Sequence, residues 1–97
     1  MGNRTRLARV CGVFEVTDLR VPGTRFRVKV IERGDSGEFL AFPNVCWKSD
    51  GQPDWISGFG STEEEALRDL LGWFLSELDR LGELRETDVE WADPRDF

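Results

Sequence analysis

The clearest pattern of apolar and polar positions lies in residues 26–31. Phe26, Val28 and Val30 alternate there with Arg27 and Lys29. Alternate side chains of a β-strand point to opposite faces of the sheet, so this period of two predicts a strand with one buried face. Strand composition recurs in three other segments, which are residues 10–16, 38–42 and 55–59. We therefore predict a small sheet with an additional N-terminal strand.

Turn-forming residues separate these strands. A Pro-Gly pair stands at 22–23, and residues 33–37 favour a tight hairpin because glycine and aspartate tolerate a positive φ. Pro43 ends the returning strand, since proline has no N–H to donate to a neighbouring strand. Residues 44–54 are then predicted to form a loop, long for a hairpin, with Trp47 exposed on it.

Residues 62–81 show the period of an amphipathic helix. Its apolar positions recur at spacings of three and four, namely Ala66, Leu67, Leu70, Leu71, Phe74, Leu78 and Leu81. Ser61 or Thr62 is the predicted N-terminal cap, with a glutamate three positions further on to complete a capping box. Gly82 is a natural stop. Gly72 costs the helix about 1 kcal/mol against alanine and would allow close packing on the sheet.

The remaining residues complete a single domain. Residues 86–91 alternate polar and apolar side chains, which predicts a short edge strand. The elements together predict an α+β fold, in which an antiparallel sheet of three or four strands, plus the N-terminal strand, carries one long helix on one face. The length of 97 residues fits one domain. We assign residues 10–97 to it and residues 1–9 to a flexible basic arm.

Localisation and cysteine chemistry follow from composition. No apolar run approaches the roughly 20 residues that a membrane-spanning helix requires. The first residues, which include Arg4 and Arg6, lack the apolar stretch of a secretory signal peptide. We therefore predict a cytoplasmic protein. In that compartment Cys11 and Cys46 are expected to be reduced and partly buried, and a disulfide between them is the less favoured alternative.

The side chains offer little for catalysis. Histidine is absent, so the usual base for a serine or cysteine nucleophile is missing. Two cysteines are too few for a zinc site made of cysteine alone. Asp35, Asp50 and Asp54 stand on predicted loops and give no indication that they converge on a metal ion. We predict no enzymatic activity, no metal and no cofactor.

The charge is distributed unevenly along the chain, whose net charge is −6. Residues 1–33 carry eight basic and three acidic side chains, whereas residues 34–97 carry five basic and sixteen acidic ones. The acidic second half suits a basic protein partner. The basic first part supports an alternative, nucleic-acid binding, although no standard motif spacing is present. The strip predicted for this alternative consists of Arg4, Arg6, Arg9, Arg25, Arg27 and Lys29.

Several short motifs follow one another between residues 26 and 81. They are Gly-Asp-x-Gly at 34–37, Phe-Leu-Ala-Phe-Pro at 39–43, Gly-Phe-Gly-Ser at 58–61 and Thr-Glu-Glu-Glu-Ala-Leu at 62–67. In this order and spacing they resemble the N-terminal domain of HicB-type antitoxins. The resemblance implies a partial ribonuclease H-like arrangement of sheet and helix. It also implies a homodimer or higher assembly that neutralises a small RNA-cleaving toxin of the HicA type.

Three features differ from that family pattern. The segment 44–54 is longer than the usual connection, residues 1–25 add a strand and a basic arm, and no segment like the family's C-terminal DNA-binding domain follows residue 81. The predicted function is non-enzymatic protein binding, as an antitoxin-like protein or as an inhibitor or adaptor that sequesters its partner. Tryptophan is enriched at interface hot spots. The predicted partner contacts are therefore Trp47, Trp73 and Trp91, each with a place in the core as its alternative.

Overall fold

A computed structural model describes residues 8–34 and 36–97 of the chain. Its regular elements, in chain order, are β1 (Ala8–Thr17), β2 (Arg25–Arg33), β3 (Phe39–Pro43), β4 (Val45–Ser49), β5 (Gln52–Pro53), β6 (Gly58–Gly60), α1 (Glu63–Leu81) and β7 (Val89–Trp91). Short 3₁₀ turns lie on either side of β7, at Glu86–Asp88 and Pro94–Asp96. The architecture is α+β, as predicted.

The larger sheet has the strand order β1-β2-β3-β6, and every neighbouring pair in it is antiparallel. Phe26, Val28 and Val30 of β2 are almost completely buried, as their alternation predicts. The predicted N-terminal strand is present as β1, which pairs with β2. A bulge between Val10 and Gly12 interrupts this pairing. The third predicted strand, at 55–59, is reduced to the three residues of β6.

Both predicted ends of the helix are confirmed. Thr62 is the N-cap, and its hydroxyl accepts a hydrogen bond from the Glu65 N–H at 3.1 Å. The Glu65 carboxylate in turn accepts the Ser61 N–H at 3.1 Å, so Ser61 and Thr62 share the capping interaction. At the other end Gly82 has a φ of 79°, and its N–H donates to the Leu78 carbonyl. These caps satisfy backbone groups that a helix end leaves without partners.

Helix α1 covers one face of the larger sheet with four buried residues, Ala66, Leu70, Phe74 and Leu78. The Phe26 ring stacks on the Phe74 ring with a centroid distance of 4.4 Å. The close approach of helix and sheet occurs at Gly58, where an added Cβ would lie 2.5 Å from the Leu70 nitrogen. Close packing at Gly72 was a wrong prediction, because Gly72 is exposed and no atom lies near its hypothetical Cβ.

The segment 44–54 contains two strands where a loop was predicted. β4 pairs with β5 on one side and with β7 on the other, which gives a second, three-stranded sheet. Asp50 and Gly51 are the reason for the difference, because they form a tight turn between β4 and β5 with φ values of 53° and 78°. The predicted edge strand in residues 86–91 is present as β7.

The predicted basic arm falls partly outside the described residues, since Arg4 and Arg6 belong to residues 1–7. Arg9 lies in β1, and its guanidinium is 2.7 Å from the Glu32 carboxylate. The strand therefore begins at Ala8, within the predicted arm. Within residues 8–34 and 36–97, no helix is long and apolar enough to cross a membrane.

Candidate protein-docking surface

The face of the larger sheet that points away from α1 carries rows of apolar side chains, and we call it the outer face. The strand register aligns one residue from each strand in the first row, Val10, Ile31, Leu40 and Phe59. The second row contains Val13, Lys29 and Phe42. Val10, Val13 and Phe59 are 55%, 44% and 52% exposed. Contiguous exposed apolar surface is typical of interaction sites.

A groove of about 420 Å³ opens beside the outer face, and we call it the aromatic groove. Its lining includes Phe42, Trp55, Glu90, Trp91, Asp93 and Phe97. Phe42 belongs both to the outer face and to the groove, so the two surfaces are continuous. Trp55 and Trp91 are large apolar side chains that remain 44% and 38% exposed. The groove thus presents aromatic side chains to solvent with carboxylates among them.

Asn44 holds the wall of the groove in place. Its N–H donates to the Arg27 carbonyl at 2.8 Å, and its side-chain oxygen accepts the Arg27 N–H at 2.7 Å. The Asn44 carbonyl accepts the Ala92 N–H at 2.8 Å. Trp91 therefore sits on a backbone that is tied, through one asparagine, to the central strand β2.

The last turn of the chain closes one end of the groove. The Lys29 ammonium lies 4.8 Å from the centroid of the Phe97 ring, a distance at which a cation and an aromatic face attract each other. Asp93 caps this turn by accepting the Arg95 N–H at 2.9 Å. Phe97 is thereby held against the second row of the outer face.

Two carboxylates give the groove a negative rim. Glu90 and Asp93 are both exposed, and the side-chain hydrogen bond from Arg95 lowers the pKa of Asp93 below its ordinary value. Arg95 neutralises part of that charge, since its guanidinium is 2.9 Å from the Asp93 carboxylate. The Glu90 carboxylate is the more available of the two for a cationic partner group.

The three tryptophans predicted as partner contacts do not share a surface. Trp91 lines the groove, whereas Trp73 is 58% exposed on α1 and Trp47 is 5% exposed in the core. The Trp47 ring lies 5.3 Å from the Phe74 ring, so an exposed position for Trp47 was a wrong prediction and its core alternative is the one observed. Trp55, which was not predicted as a partner contact, is the second exposed indole of the groove beside Trp91.

Sequence patterns gave little signal for Trp55 and Phe97. Trp55 was assigned to a strand, but it lies in the irregular segment between β5 and β6. Phe97 stands at the end of a polar segment without periodicity. Phe42 lies in β3, which is apolar throughout, so the sequence did not indicate that its side chain lies on the outer face.

The basic residues of the alternative prediction are divided between two places. Arg25, Arg27 and Lys29 share the outer face of β2, whereas Arg9 is in register with Glu32. The Arg25 guanidinium is 3.4 Å from the Glu15 carboxylate. A cavity of about 400 Å³ brings Arg25 and Arg27 together with Trp91. Arg4 and Arg6 lie outside the described residues, and the part of the strip on β2 has an acidic neighbour in Glu15.

At the start of α1 and on its outer side, described carboxylates are engaged in hydrogen bonds with backbone N–H groups. The Glu65 carboxylate occupies the helix start by accepting the Ser61 N–H and hydroxyl, and these hydrogen bonds lower its pKa. Likewise, the Asp69 carboxylate accepts the Phe59 N–H at 2.9 Å. Among the described residues, no three Cys, Asp or Glu side chains are grouped so that they could hold a metal ion.

Known proteins give no further guide to this surface. No protein-family model, no curated protein and no solved structure matches the chain.

Proposed function

We propose that this chain is a non-enzymatic protein-binding module, HicB-like in type, that sequesters a small basic protein in the cytoplasm. The observation that carries the proposal is the aromatic groove, in which Trp55 and Trp91 stay exposed beside Glu90. The partner segment that fits it carries an aromatic or aliphatic side chain next to a lysine or arginine.

The energetics of such docking favour the two indoles. Burying an exposed tryptophan removes a large apolar area from water, and tryptophan is among the residues that contribute most at interface hot spots. The rim carboxylates orient the incoming partner and raise the association rate constant. They add little to the affinity, because exposed charge pairs contribute little free energy. A chain with a net charge of −6 attracts a basic partner over a longer range.

The motif resemblance supports the same role. The order β2, β3, β6 and α1 contains the motifs that resemble HicB-type antitoxins, and an antitoxin acts by occluding its toxin. The sequence contains no histidine, so the usual base for a serine or cysteine nucleophile is missing. A small basic toxin is the partner that both arguments favour.

The test uses the full chain and the product of the adjacent reading frame, purified after co-expression. We expect a small basic protein that binds the chain in titration calorimetry. Trp55→Ala and Trp91→Ala should each weaken binding at least about tenfold, as hot-spot truncations do. Trp73→Ala is the matched control, because it removes an exposed indole, 58% accessible, from another surface. Equal losses in all three variants, or no complex with a small basic protein, would contradict the proposal.

Nucleic-acid binding is the second candidate, favoured by the cavity that Arg25, Arg27 and Trp91 share. Arginines beside an exposed aromatic ring can hold a phosphate and stack a base. A gel-shift series with single-stranded oligonucleotides tests it against the chain carrying Arg25→Ala and Arg27→Ala. Salt-sensitive binding that these substitutions abolish would favour this candidate over the protein-binding role.

A further inference from the structure

The longest strand of the structure has an open edge. β1 pairs with β2 along one side, and within the described part of the chain no strand pairs with its other side. An edge of this kind presents N–H and C=O groups that a further strand can pair with. This edge lies on the side of the sheet opposite β6 and so apart from the aromatic groove.

The faces of β1 are also incompletely covered. α1 packs chiefly on β6 and β3 and makes a smaller contact with β2, so β1 lies beyond the helix. On the outer face Val13 is 44% exposed. On the face that α1 covers elsewhere, Phe14 and Val16 are only partly buried at the margin of the core. The strand thus exposes apolar side chains on both faces along with its open edge.

We infer that two copies of the chain join through the open edges of β1, in an antiparallel pairing centred on Phe14. The regular part of the strand, from Gly12 onward, avoids the bulge. Around a two-fold axis at Phe14, Val13 of each copy lies opposite Glu15 of the other, and both residues are on the outer face. The result is a continuous eight-stranded sheet with the two helices on the same side.

A second copy fits this edge by charge and by shape. β1 carries one basic and one acidic side chain among its described residues, Arg9 and Glu15, so the strand brings no net charge to the junction. The pairing places no like charges opposite each other. It also brings Phe14 next to its counterpart, so the half-buried rings cover each other between the two helices.

The size of the junction sets the expected affinity. Five residues pair on each side, 12–16, which span roughly 17 Å. A strand pairing of this length buries less than about 1,200 Å² of accessible surface in total, which is the low end for specific complexes. We therefore expect a dimer that dissociates in the micromolar range. The surface is separate from the aromatic groove, so each copy of the dimer keeps its groove open.

Two substitutions of Val13, one by glutamate and one by lysine, test the pairing. The charge that suits the fold of a single chain is the one that disfavours the dimer. Within one chain Val13 is in register with Lys29, so Val13→Glu is compatible with the fold and Val13→Lys is the less favourable of the two. Across the junction the order is reversed, because position 13 meets Glu15 of the other copy. Loss of the dimer in Val13→Glu therefore cannot be ascribed to misfolding.

The measurement is sedimentation equilibrium of the full chain at physiological salt. We expect the unsubstituted chain to dimerise, Val13→Glu to weaken the dimer about tenfold through two like-charged contacts, and Val13→Lys to retain it. Leu19→Glu, at a side chain 79% exposed in the turn after β1, is the control and should not change association. A chain that stays monomeric at about 1 mM, or equal effects of the two Val13 substitutions, would overturn the pairing.

Discussion

Asn44 and Arg27 are joined by two hydrogen bonds, one from the Asn44 N–H and one to its side-chain oxygen. This pair fixes the start of β4 against β2, and the Asn44 carbonyl then holds Ala92. Asn44→Ala leaves the Arg27 N–H without its acceptor. We expect the free energy of unfolding to fall by about 1 kcal/mol, measured by urea denaturation.

The control for this prediction is Asn44→Asp, which keeps an oxygen at the position that accepts the Arg27 N–H. We expect it to retain most of the stability, since the hydrogen bond is kept and the cavity beside it is lined by Arg25 and Arg27 as well as by Glu15 and Glu86. If the aspartate variant loses as much stability as the alanine variant, the side-chain hydrogen bond is not what holds this junction.

Gly58 and Gly72 should respond oppositely to substitution by alanine. At Gly58 an added Cβ would lie 2.5 Å from the Leu70 nitrogen and 2.6 Å from the Ala66 carbonyl oxygen, both backbone atoms of α1. The helix would have to move, at a cost of about 2–3 kcal/mol. Gly72 lies exposed within α1 with open space around it, so alanine there should stabilise the fold by about 1 kcal/mol.

Thermal unfolding of Gly58→Ala and Gly72→Ala side by side measures this difference. Both variants carry the same glycine-to-alanine substitution, so its effect on the conformational entropy of the unfolded chain is similar in both. A stable Gly58→Ala protein would show that the contact between β6 and α1 is looser than the geometry indicates.

Local signals were sufficient to predict the framework of this fold. The alternation in β2, the cap at Thr62 and the stop at Gly82 each depend on neighbouring residues alone. Such features are set by backbone geometry and by the period of burial, which the sequence displays directly. The α+β class followed from them.

The candidate surface could not be predicted in the same way, because its residues come together only through tertiary contacts. Trp47 was assigned to a loop and Trp55 to the strand that follows it, yet Trp47 is in the core and Trp55 lines the groove. What separates them is the pairing of β4 with β7, a contact between residues more than forty positions apart. The periodicity within a segment does not indicate which distant strand the segment pairs with.

The turn after β1 should make stability depend on pH in the acid range. Asp18 accepts hydrogen bonds from the Arg20 N–H and from the Arg20 guanidinium, at 2.9–3.0 Å. The hydrogen bonds from the Arg20 side chain lower the pKa of Asp18 below its ordinary value, against the opposing effect of burial. The Arg20 carbonyl accepts the Leu84 N–H, so this turn also anchors the segment that follows α1.

Because the pKa of Asp18 is lower in the folded than in the unfolded chain, its contribution to stability is complete above its ordinary pKa. The contribution is lost as the pH falls through the lowered value. We expect Asp18→Asn to reduce the free energy of unfolding by about 1 kcal/mol at pH 7. The difference from the unsubstituted chain should shrink below about pH 4. A difference that stays constant down to pH 2 would contradict this account.

The two cysteines should differ sharply in reactivity. Both thiols are free, as predicted, with Cys11 half-buried in β1 and Cys46 1% exposed in β4. Burial raises the pKa of the Cys46 thiol to about 11. At pH 8 its thiolate fraction is therefore about 100-fold lower than that of an ordinary cysteine. The thiolate is the form that reacts with alkylating reagents. With iodoacetamide at pH 8 we therefore expect one adduct, at Cys11, and a second only when urea unfolds the chain. Peptide mass spectrometry locates the adducts, and rapid labelling of Cys46 in the folded protein would show that the β4–β7 pairing opens readily.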